Sequence, residues 1–579
     1  MQAELAARVT AHASGRVHVT DRAGEDVRSR DHLLAFGMLA VGAILRGLYM
    51  FHHHVNVDEP QHLHVAWVWT QGLLIYRDAF DNHSPLFSML MAPLVGLIGE
   101  RSDIVVWMRF AMVPFVALSL WATWRIGRRL FSSRSALWAV VVTAVFPSFL
   151  LCSVEYRTDQ LWTTVWLWAL AVLVGGSLTV TRSFFVGLLM GASFGASMKT
   201  SLLATTLAVA AGLTLLTLVR REARPPLGWL ASRAAAAIVG LALVPAGIGA
   251  YFSAHRAWSA LVYNTVQHNL VPRLGHDAPW RWPVALAVLP LLYYMARRLV
   301  NQTPDARVGA RRALLLTGAT LYFTAVNFLW PLVTRQDFLP LIPLAAIFVT
   351  PLLVKLDLWM SGTRFARAAR LVPVVVVVAL EVGPAVAAEP PWRDDTSPQR
   401  AFLSEVLRLT RPGDPLMDLK GECVFRTRSY YYALEHITRV RIARGLIRDD
   451  IATRLIATKT AFVTEDSDQF PPGAGSFMKA HYLPVGRLRA LGCWLEPVPG
   501  DPATPRPFDI VIPGRYVVVA DFGPGQGQLD GEGGAGPSQL GPGPHAYRAG
   551  PHEGRVAVLW ASAVERGFSP FPGVGAGGR

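Results

Sequence analysis

The chain alternates long runs of apolar residues with short polar stretches. The runs are about 16–21 residues long, which is the length that a helix needs to cross a bilayer. Taken in order, they predict about eleven transmembrane helices and hence a mainly α-helical, polytopic membrane protein. The predicted spans are 31–51, 104–124, 135–152, 160–180, 183–198, 200–219, 234–252, 282–296, 313–331, 337–354 and 371–388.

A further apolar run, Ser84–Ile98, competes with this count. If it crossed the membrane, every later Arg-rich loop would move to the outer face, against the positive-inside rule. We therefore interpret it as a helix lying at the outer membrane surface. Residues 52–103 then form one long outer loop, and long ordered loops are uncommon unless they have a function.

Basic residues show which loops face the cytoplasm. Arg and Lys residues concentrate in alternate loops, at 125–134, 182, 220–233, 297–312 and 355–370. The rule places these loops and the N-terminus in the cytoplasm, and the C-terminal part outside, for a protein of the inner (cytoplasmic) membrane. Because this topology accounts for the net charge of +15, we expect a lipid bilayer as partner and no nucleic acid.

The chain changes character near residue 389, where the Pro-rich stretch EPPWRDDTSP begins. Helical periodicity at 399–409 and 447–458, with short apolar runs at 415–419 and 461–463, predicts a soluble α/β domain. Alternating residues after 506 predict a small β module, whose Gly-rich part is either a linker or a set of tight hairpins around Asp530-Gly531. The expected domains are a cytoplasmic tail (1–30), a transmembrane domain (31–388), an α/β domain (389–505), a β module (506–565) and a flexible tail (566–579).

Candidate chemistry begins with the adjacent acids Asp58 and Glu59, just beyond the first span. Asp58 followed by Glu59-Pro60 suits a helix N-cap, in which case the carboxylate would bond only to backbone N–H groups. Ionisable groups at this depth, however, are costly and tend to mark functional sites. A carboxylate there could act as a general base towards a hydroxyl group.

Two later outer loops bring more charged groups to the same surface, at Glu155–Asp159 and Arg335–Asp337. Arg and Lys side chains can neutralise a phosphate leaving group. Lys199 lies at a span end, where a lysine can either meet an anion or extend its ammonium towards water.

The order of these motifs resembles that of the GT-C membrane glycosyltransferases. Within them it is most similar to the dolichyl-phosphate-mannose protein mannosyltransferases and the lipid A aminoarabinose transferases, which form a family 39-like group. The resemblance covers about 33–350. It rests on Asp58-Glu59, FDNHSPLF (80–87), VWMRFAMVP (106–114), WRIGRRLFSSRSALWAV (124–140), EYRTDQLW (155–162), ASMKTSLL (196–203) and TRQDFLPLIP (334–343).

The resemblance implies a GT-C-like fold with an extracytoplasmic C-terminal part. It also implies inverting transfer of a hexose or pentose from a polyprenyl-phosphate carrier to a glycan, lipid or protein acceptor outside. Asp58 would be the base and Glu59 its positioning neighbour. Residues implied to bind the donor or line its cavity are His83, Arg109, Asp159, Lys199 and Arg335.

The chain departs from that group at His83-Ser84-Pro85, where the aminoarabinose transferases have Lys-Pro-Pro. A histidine would contact a donor phosphate more weakly than lysine does, and in a pH-dependent way. This departure weakens the case for a lipid A acceptor.

Several alternatives follow from the residues. His52, His53, His54, His62 and His64 could bind a divalent metal together with Asp58, which shares a helical face with His62. Histidines near a membrane surface are, however, commonly polar surface residues. Trp67 and Trp69 suit interfacial anchors, and Tyr430–Tyr432 suit either sugar stacking or core packing. Cys423 and Cys493 could pair outside the cytoplasm.

Two other functions compete with the transferase. One is a transporter or flippase of lipid-linked sugars, for which internal repeats and broken spans at mid-membrane are typical. The other is a glycan ligase or polymerase that uses a diphosphate carrier. The sequence shows no internal repeat, and its polar clusters lie at span ends on one side, which favours the transferase.

Overall fold

The structure is a computed structural model. It describes residues 29–571 except 220–223, 272–280, 302, 304, 331, 362–371, 466, 497–503, 522, 534–535 and 552. Most of the expected N-terminal tail, the end of the C-terminal tail and parts of three basic loops therefore lie outside the described residues.

Helices make up the first two thirds of the described chain, as the apolar runs predict. Six of the described helical segments have the length and apolar composition of a membrane span. The helices that precede the basic loop 220–233 are α1 Ser29–His52, α2 Asp58–Thr70, α3 Leu86–Ile98, α4 Ile104–Phe110, α5 Val113–Leu130, α6 Ser133–Val145, α7 Pro147–Cys152, α8 Thr158–Val174, α9 Val180–Ala196 and α10 Thr200–Leu213. They continue with α11 Leu227–Ala254, α12 Trp258–Val262, α13 Arg281–Asn301, α14 Ala306–Leu329, α15 Leu341–Ser361, α16 Val372–Val377 and α17 Gly383–Ala388.

Proline divides one of the predicted spans. The run 135–152 forms α6 and α7, which meet at Phe146. Pro147 has no N–H to continue the α6 ladder, but its fixed φ suits the first position of a new helix. The contested run forms α3, whose 13 residues extend about 20 Å and fall short of the ~30 Å hydrocarbon layer.

Glycines allow α9 and α11 to pack with their backbones in contact. A Cβ at Gly187 would lie 1.9 Å from the Ala237 carbonyl oxygen, and one at Gly240 would lie 2.1 Å from that of Phe184. Gly187, Gly191 and Gly195 recur every four residues on one face of α9. This small-residue spacing is typical of helix pairs that approach closely in membranes.

We predict that Gly187→Ala destabilises the protein by about 1–3 kcal/mol, because the new methyl group must push the two backbones apart. The measurement is the midpoint of thermal unfolding in detergent. Gly212→Ala is the matched control, since a Cβ there meets nothing within 4 Å. Equal midpoints for the two variants would contradict close α9–α11 packing.

The C-terminal part combines helices with two β-sheets. Its helices are α18 Ser397–Leu409, α19 His436–Ala443, α20 Ile451–Ala457, α21 Pro472–His481 and α22 Ala561–Glu565. Its strands are β1 Leu416–Met417, β2 Phe462–Thr464, β3 Tyr482–Val485, β4 Leu488–Leu495, β5 Arg506–Ile510, β6 Gly514–Ala520, β7 Gly523–Pro524, β8 Gln528–Leu529, β9 Glu532–Gly533, β10 Ser538–Leu540, β11 Gly543–Arg548 and β12 Val556–Trp560.

The larger sheet has the order β1-β2-β4-β12-β6-β10, with β3 on β4 and β7 on β6, and the smaller has the order β5-β11-β8-β9. Only the β1–β2 pair is parallel among these pairings. Asp530 and Gly531 have φ of 52° and 87° and connect β8 to β9, as the hairpin interpretation requires. The predicted fold class, a mainly helical membrane protein with a mixed C-terminal part, is confirmed.

The C-terminal part packs directly on the loop that follows the first span. His64 Nδ1 lies 2.8 Å from the Val424 carbonyl oxygen, and the Tyr431 hydroxyl donates to the Tyr76 carbonyl. One hydrophobic core runs from α2 through the membrane helices into α18. The tyrosine run therefore includes packing residues at this contact.

Helix α2 is buried on all sides, so it is not an amphipathic surface helix. Ten of its 13 residues are buried, and Trp67 is 4% exposed. The Trp69 indole N–H donates to Ser88 Oγ. Trp67 is therefore a core residue and not an interfacial anchor, whereas Trp69 is partly buried against Tyr251 and Phe252 of α11.

No disulfide joins the cysteines of the described chain. Cys423 is buried and Cys493 is partly buried, and both are free thiols. The structure therefore gives no support to the pairing of Cys423 with Cys493, which the sequence leaves open.

Candidate functional site

Asp58 begins α2, but its side chain does not cap the helix. The residue before the helix is Val57, and no side-chain cap bond forms. One Asp58 carboxylate oxygen is 2.8 Å from Arg157 Nη1, and the other contacts Lys420 Nζ. The N-cap interpretation is therefore wrong, and the carboxylate is available to partners outside its own helix.

Burial alone would raise the pKa of Asp58, but the charges of Arg157 and Lys420 overcome it and hold the pKa well below its usual range. The contact with the Asp58 carboxylate also raises the pKa of Arg157. For a carboxyl with a lowered folded pKa, the stabilisation is complete above the unfolded pKa of about 4 and is lost as pH falls through the folded value. Asp58 is therefore ionised at neutral pH.

Glu59 forms a fully buried ion pair with Arg109. Arg109 donates from Nε and Nη2 to the two carboxylate oxygens, at 2.8 and 2.6 Å. Its remaining N–H groups donate to the carbonyls of Met50, His53 and His54. Both side chains are 0% exposed, so Arg109 cannot reach a donor without breaking this pair. We assign Arg109 a supporting role instead of the expected contact with the donor.

Alternating charges extend from Asp58 to the loop before α15. Arg157 Nε lies 3.1 Å from Asp159, and Asp159 lies 3.2 Å from Lys199 Nζ. Lys199 Nζ in turn lies 2.6 Å from Asp337. The structure thus brings Asp58, Asp159, Lys199 and Asp337, which are far apart in sequence, into one row of ionic contacts.

Arg335 differs from the other cations of the site. Its side chain is exposed, and it forms no ion pair with a residue that the structure describes. Its sequence neighbour Asp337 instead accepts from Thr334 in a capping box and meets Lys199. Arg335 is therefore free to meet an external anion.

His83 and His62 lie beside Asp58 with their rings in contact, the centroids 4.6 Å apart and the planes tilted by 55°. The Asp81 carboxylate is 2.8 Å from His83 Nδ1 and fixes that ring. His62 is buried, and burial is the main reason that its pKa is well below the usual value. With Arg157 and Lys420 as the partners of Asp58, the expected Asp58–His62 metal pair gains no support from this geometry.

Buried polar atoms without a hydrogen-bond partner in the described chain lie among the same residues. They include His62 Nε2, Tyr156 Oη and Gln160 Oε1. Buried groups of this kind are costly unless water or a ligand satisfies them. A polar ligand beside the acids would supply the missing bonds.

A narrow apolar cleft, with a cavity volume of about 20 Å³, lies between α8, α10, α14 and α15. Tyr322 lines it, and the Tyr322 hydroxyl donates to the Asp337 carbonyl at 3.0 Å. The cleft therefore leads to the Lys199–Asp337 end of the charged row. Its other lining residues are Trp166, Leu170, Leu203, Thr206, Leu207, Leu315, Gly318, Ala319, Pro340, Leu341 and Leu344.

Sequence reasoning missed Lys420 because the residue lies in the C-terminal part, 362 positions from Asp58. It follows β1 and precedes Gly421, whose φ is +100°. A Cβ at Gly421 would be 3.2 Å from the Gln61 Cα, so glycine lets this turn approach α2 closely. The signal available in the sequence was the polar segment DLKGE (418–422), which follows a short apolar run.

We predict that Glu59→Gln destabilises the protein by about 3–5 kcal/mol, because it leaves the buried Arg109 guanidinium without its counter-charge. The check is the midpoint of thermal unfolding in detergent. Glu565→Gln, which removes an exposed ion pair with Arg515, is the matched control and should change the midpoint little. A small effect at both positions would contradict the central role of the buried pair.

Comparisons with known proteins agree with this architecture. The family model described as dolichyl-phosphate-mannose-protein mannosyltransferase matches residues 82–244. The structure of ArnT from Cupriavidus metallidurans in the apo state is 12% identical with a TM-score of 0.50, over 78% of this chain and 96% of that chain. The same protein bound to undecaprenyl phosphate is 13% identical with a TM-score of 0.49, over 78% and 97%.

The oligosaccharyltransferase of Archaeoglobus fulgidus, tethered to an acceptor peptide, is 10% identical with a TM-score of 0.46, over 78% of this chain and 72% of that chain. No curated protein matches the sequence significantly. At these identities the similarity to apo ArnT concerns the fold, whereas the family match concerns the sequence of 82–244. Over residues 82–244 the sequence is therefore similar to the dolichyl-phosphate-mannose-protein mannosyltransferase family, and the fold of the chain is similar to that of ArnT.

Proposed function

We propose that the protein transfers a hexose or pentose from a polyprenyl-phosphate carrier to an acceptor hydroxyl at the extracytoplasmic face, with inversion and with Asp58 as general base. The family match over 82–244 supports a donor of this class. The observation that carries the proposal is the position of the ionised Asp58 carboxylate. It lies in the row of alternating charges whose other end is next to the apolar cleft.

The donor has two chemically different ends, and the site offers a matching environment for each. The isoprenoid chain would lie along the apolar side chains of the cleft between α8, α10 and α14, and these helices must move apart to admit it. The phosphate fits the neighbouring cations Lys199 and Arg335, of which Arg335 has no ion-pair partner in the described chain. Charge-assisted bonds from Arg and Lys are the usual way to hold phosphate oxygens.

The reaction is a single displacement at the anomeric carbon. The Asp58 carboxylate takes the proton from the acceptor hydroxyl while its oxygen forms a bond to C1 of the sugar. The bond from C1 to the phosphate oxygen breaks, and its electron pair leaves with the polyprenyl phosphate. Cations near that oxygen stabilise the developing negative charge. Attack opposite the leaving group inverts the anomeric configuration.

In this proposal, a movement of Lys420 away from Asp58 is what makes the strongly acidic carboxyl an effective base. The Lys420 ammonium contacts Asp58 and lowers the pKa, and a carboxylate with a low pKa is a weak base. The donor phosphate is a competing anion for Lys420. Movement of Lys420 towards the phosphate would raise the pKa of Asp58 when the donor is bound, so that the base becomes effective with substrate in place.

The proposed topology follows the basic loops. Placing them in the cytoplasm puts α2, the charged row and the C-terminal part on the outer side of the inner membrane. We propose that 31–388 is the catalytic transmembrane domain with 52–103 as its outer loop. The α/β domain 389–505 and the β module 506–565 would form its cover, and 389–505 contributes Lys420.

We predict that Asp58→Asn lowers the rate of transfer at least about 100-fold, because it removes the general base. The measurement is release of polyprenyl phosphate by purified protein from a synthetic polyprenyl-phosphate sugar. Asp103→Asn is the control, since Asp103 is a half-exposed acid that pairs with Arg101.

Donor binding by Asp58→Asn, followed as donor-dependent thermal stabilisation, shows that the variant is folded. A folded Asp58→Asn variant with unchanged turnover would contradict the assignment. Movement of intact donor across vesicles without release of polyprenyl phosphate would instead favour the transporter.

We predict that Arg335→Gln raises the KM for the donor about tenfold and changes kcat less, because it removes a cation that meets the phosphate in both ground and transition states. Arg393→Gln, an exposed arginine paired with Asp395, is the control. Equal KM values for the two variants would exclude Arg335 from the donor site.

A further inference from the structure

A cluster of metal-ligating side chains lies outside the charged row. His53 and His54 follow α1, and Glu389 follows α17. His53 Nδ1 is 2.6 Å from Glu389 Oε2, and His54 Nδ1 is 3.6 Å from the same oxygen. One ligand atom from each residue lies within 4.8 Å of the others. The two ends of the membrane domain meet at this cluster.

The imidazoles of His53 and His54 both face one carboxylate oxygen of Glu389, and a single proton can bridge only one of them to it. The ring centroids are 4.2 Å apart, so two imidazolium charges would repel each other. The His53 side chain is 2% exposed, and neither of its ring nitrogens makes a hydrogen bond of acceptable geometry within the described chain. A divalent cation would satisfy both rings and the carboxylate at once.

The surroundings hold the ligands in place. The backbone carbonyls of His53 and His54 accept bonds from Arg109 at 2.9 and 3.0 Å. Glu155 lies 3.8 Å from His53 Nε2, on the ring edge opposite Nδ1. A carboxylate behind a histidine ligand is the usual outer partner that fixes the ring and raises its basicity.

We propose that His53 Nδ1, His54 Nδ1 and the Glu389 carboxylate form a binding site for a divalent transition metal, of which Zn²⁺ suits the ligands best. Two histidines and a carboxylate leave a fourth position for water in a tetrahedral Zn²⁺ site. Bonds of about 2.0–2.2 Å at tetrahedral angles place ligand atoms about 3.4 Å apart. An ion would therefore widen the 2.6 Å contact between His53 and Glu389 and leave the 3.6 Å spacing between His54 and Glu389 nearly unchanged. His54 is 53% exposed and Glu389 26% exposed, which gives the ion a path from solvent.

The position indicates what the ion does. It would join the outer end of α1 to the segment that leads from α17 into the C-terminal part. Asp395 N donates to the His52 carbonyl at 2.9 Å, so the two segments already touch. The metal would therefore strengthen the attachment of the C-terminal part, which carries Lys420. The site differs from the Asp58–His62 pair that the sequence suggested.

The test is metal uptake by the full-length protein, purified in detergent with a tag that contains no histidine and stripped with a chelator. We expect one Co²⁺ per chain with the visible absorption of a tetrahedral site, displacement of that absorption by Zn²⁺, and a higher unfolding midpoint with Zn²⁺. His54→Gln is the main variant because the side chain is exposed, so its loss does not threaten folding. It should lower Co²⁺ affinity at least tenfold, and Glu389→Gln should do the same.

His255→Gln is the control, since His255 is exposed and lies at the end of α11. An ordinary His–Glu ion pair would give a stability that varies with pH but not with Zn²⁺ or chelator, and that result would overturn the proposal. So would equal Co²⁺ affinity in wild type, His54→Gln and His255→Gln. Because no donor is present, the outcome is independent of the proposed sugar transfer.

Discussion

A buried ion pair between Glu59 and Arg109 holds the loop after the first span on the membrane helices. The Glu59 carboxylate accepts four hydrogen bonds, two from Arg109 and one each from the backbone N–H groups of Asn56 and Tyr156. A pair so deeply desolvated is stable only while both partners and their extra hydrogen bonds are present. It joins α1, α2, α4 and the loop before α8 at one point, and the position of Asp58 depends on that junction.

The site next to this pair is electrostatically balanced by long-range contacts. Asp58, Asp159 and Asp337 alternate with Arg157, Lys199 and Lys420, so each buried charge has an opposite neighbour. A phosphate entering such a row changes the partner of each cation in turn. In the reaction that we propose, donor binding would in this way alter the basicity of Asp58 without a large movement of the backbone.

The C-terminal part completes the site as well as covering it. It buries α2, positions His64 through the Val424 carbonyl and places Lys420 on Asp58. Covering the charged row lowers the local dielectric, which strengthens every ionic contact within it. The His53–His54–Glu389 cluster lies where the chain enters this cover.

The sequence determined the helical membrane class, most span positions and the change to a mixed part near residue 389, because run length and periodicity are local properties. Motif order also indicated Asp58, Glu59, Asp159, Lys199 and Arg335 as site candidates. Only the tertiary structure decided that Arg109 is enclosed by Glu59, that Trp67 is buried and that Lys420 meets Asp58. Those outcomes depend on which distant surfaces pack together, and neither the spacing of residues nor their composition records that.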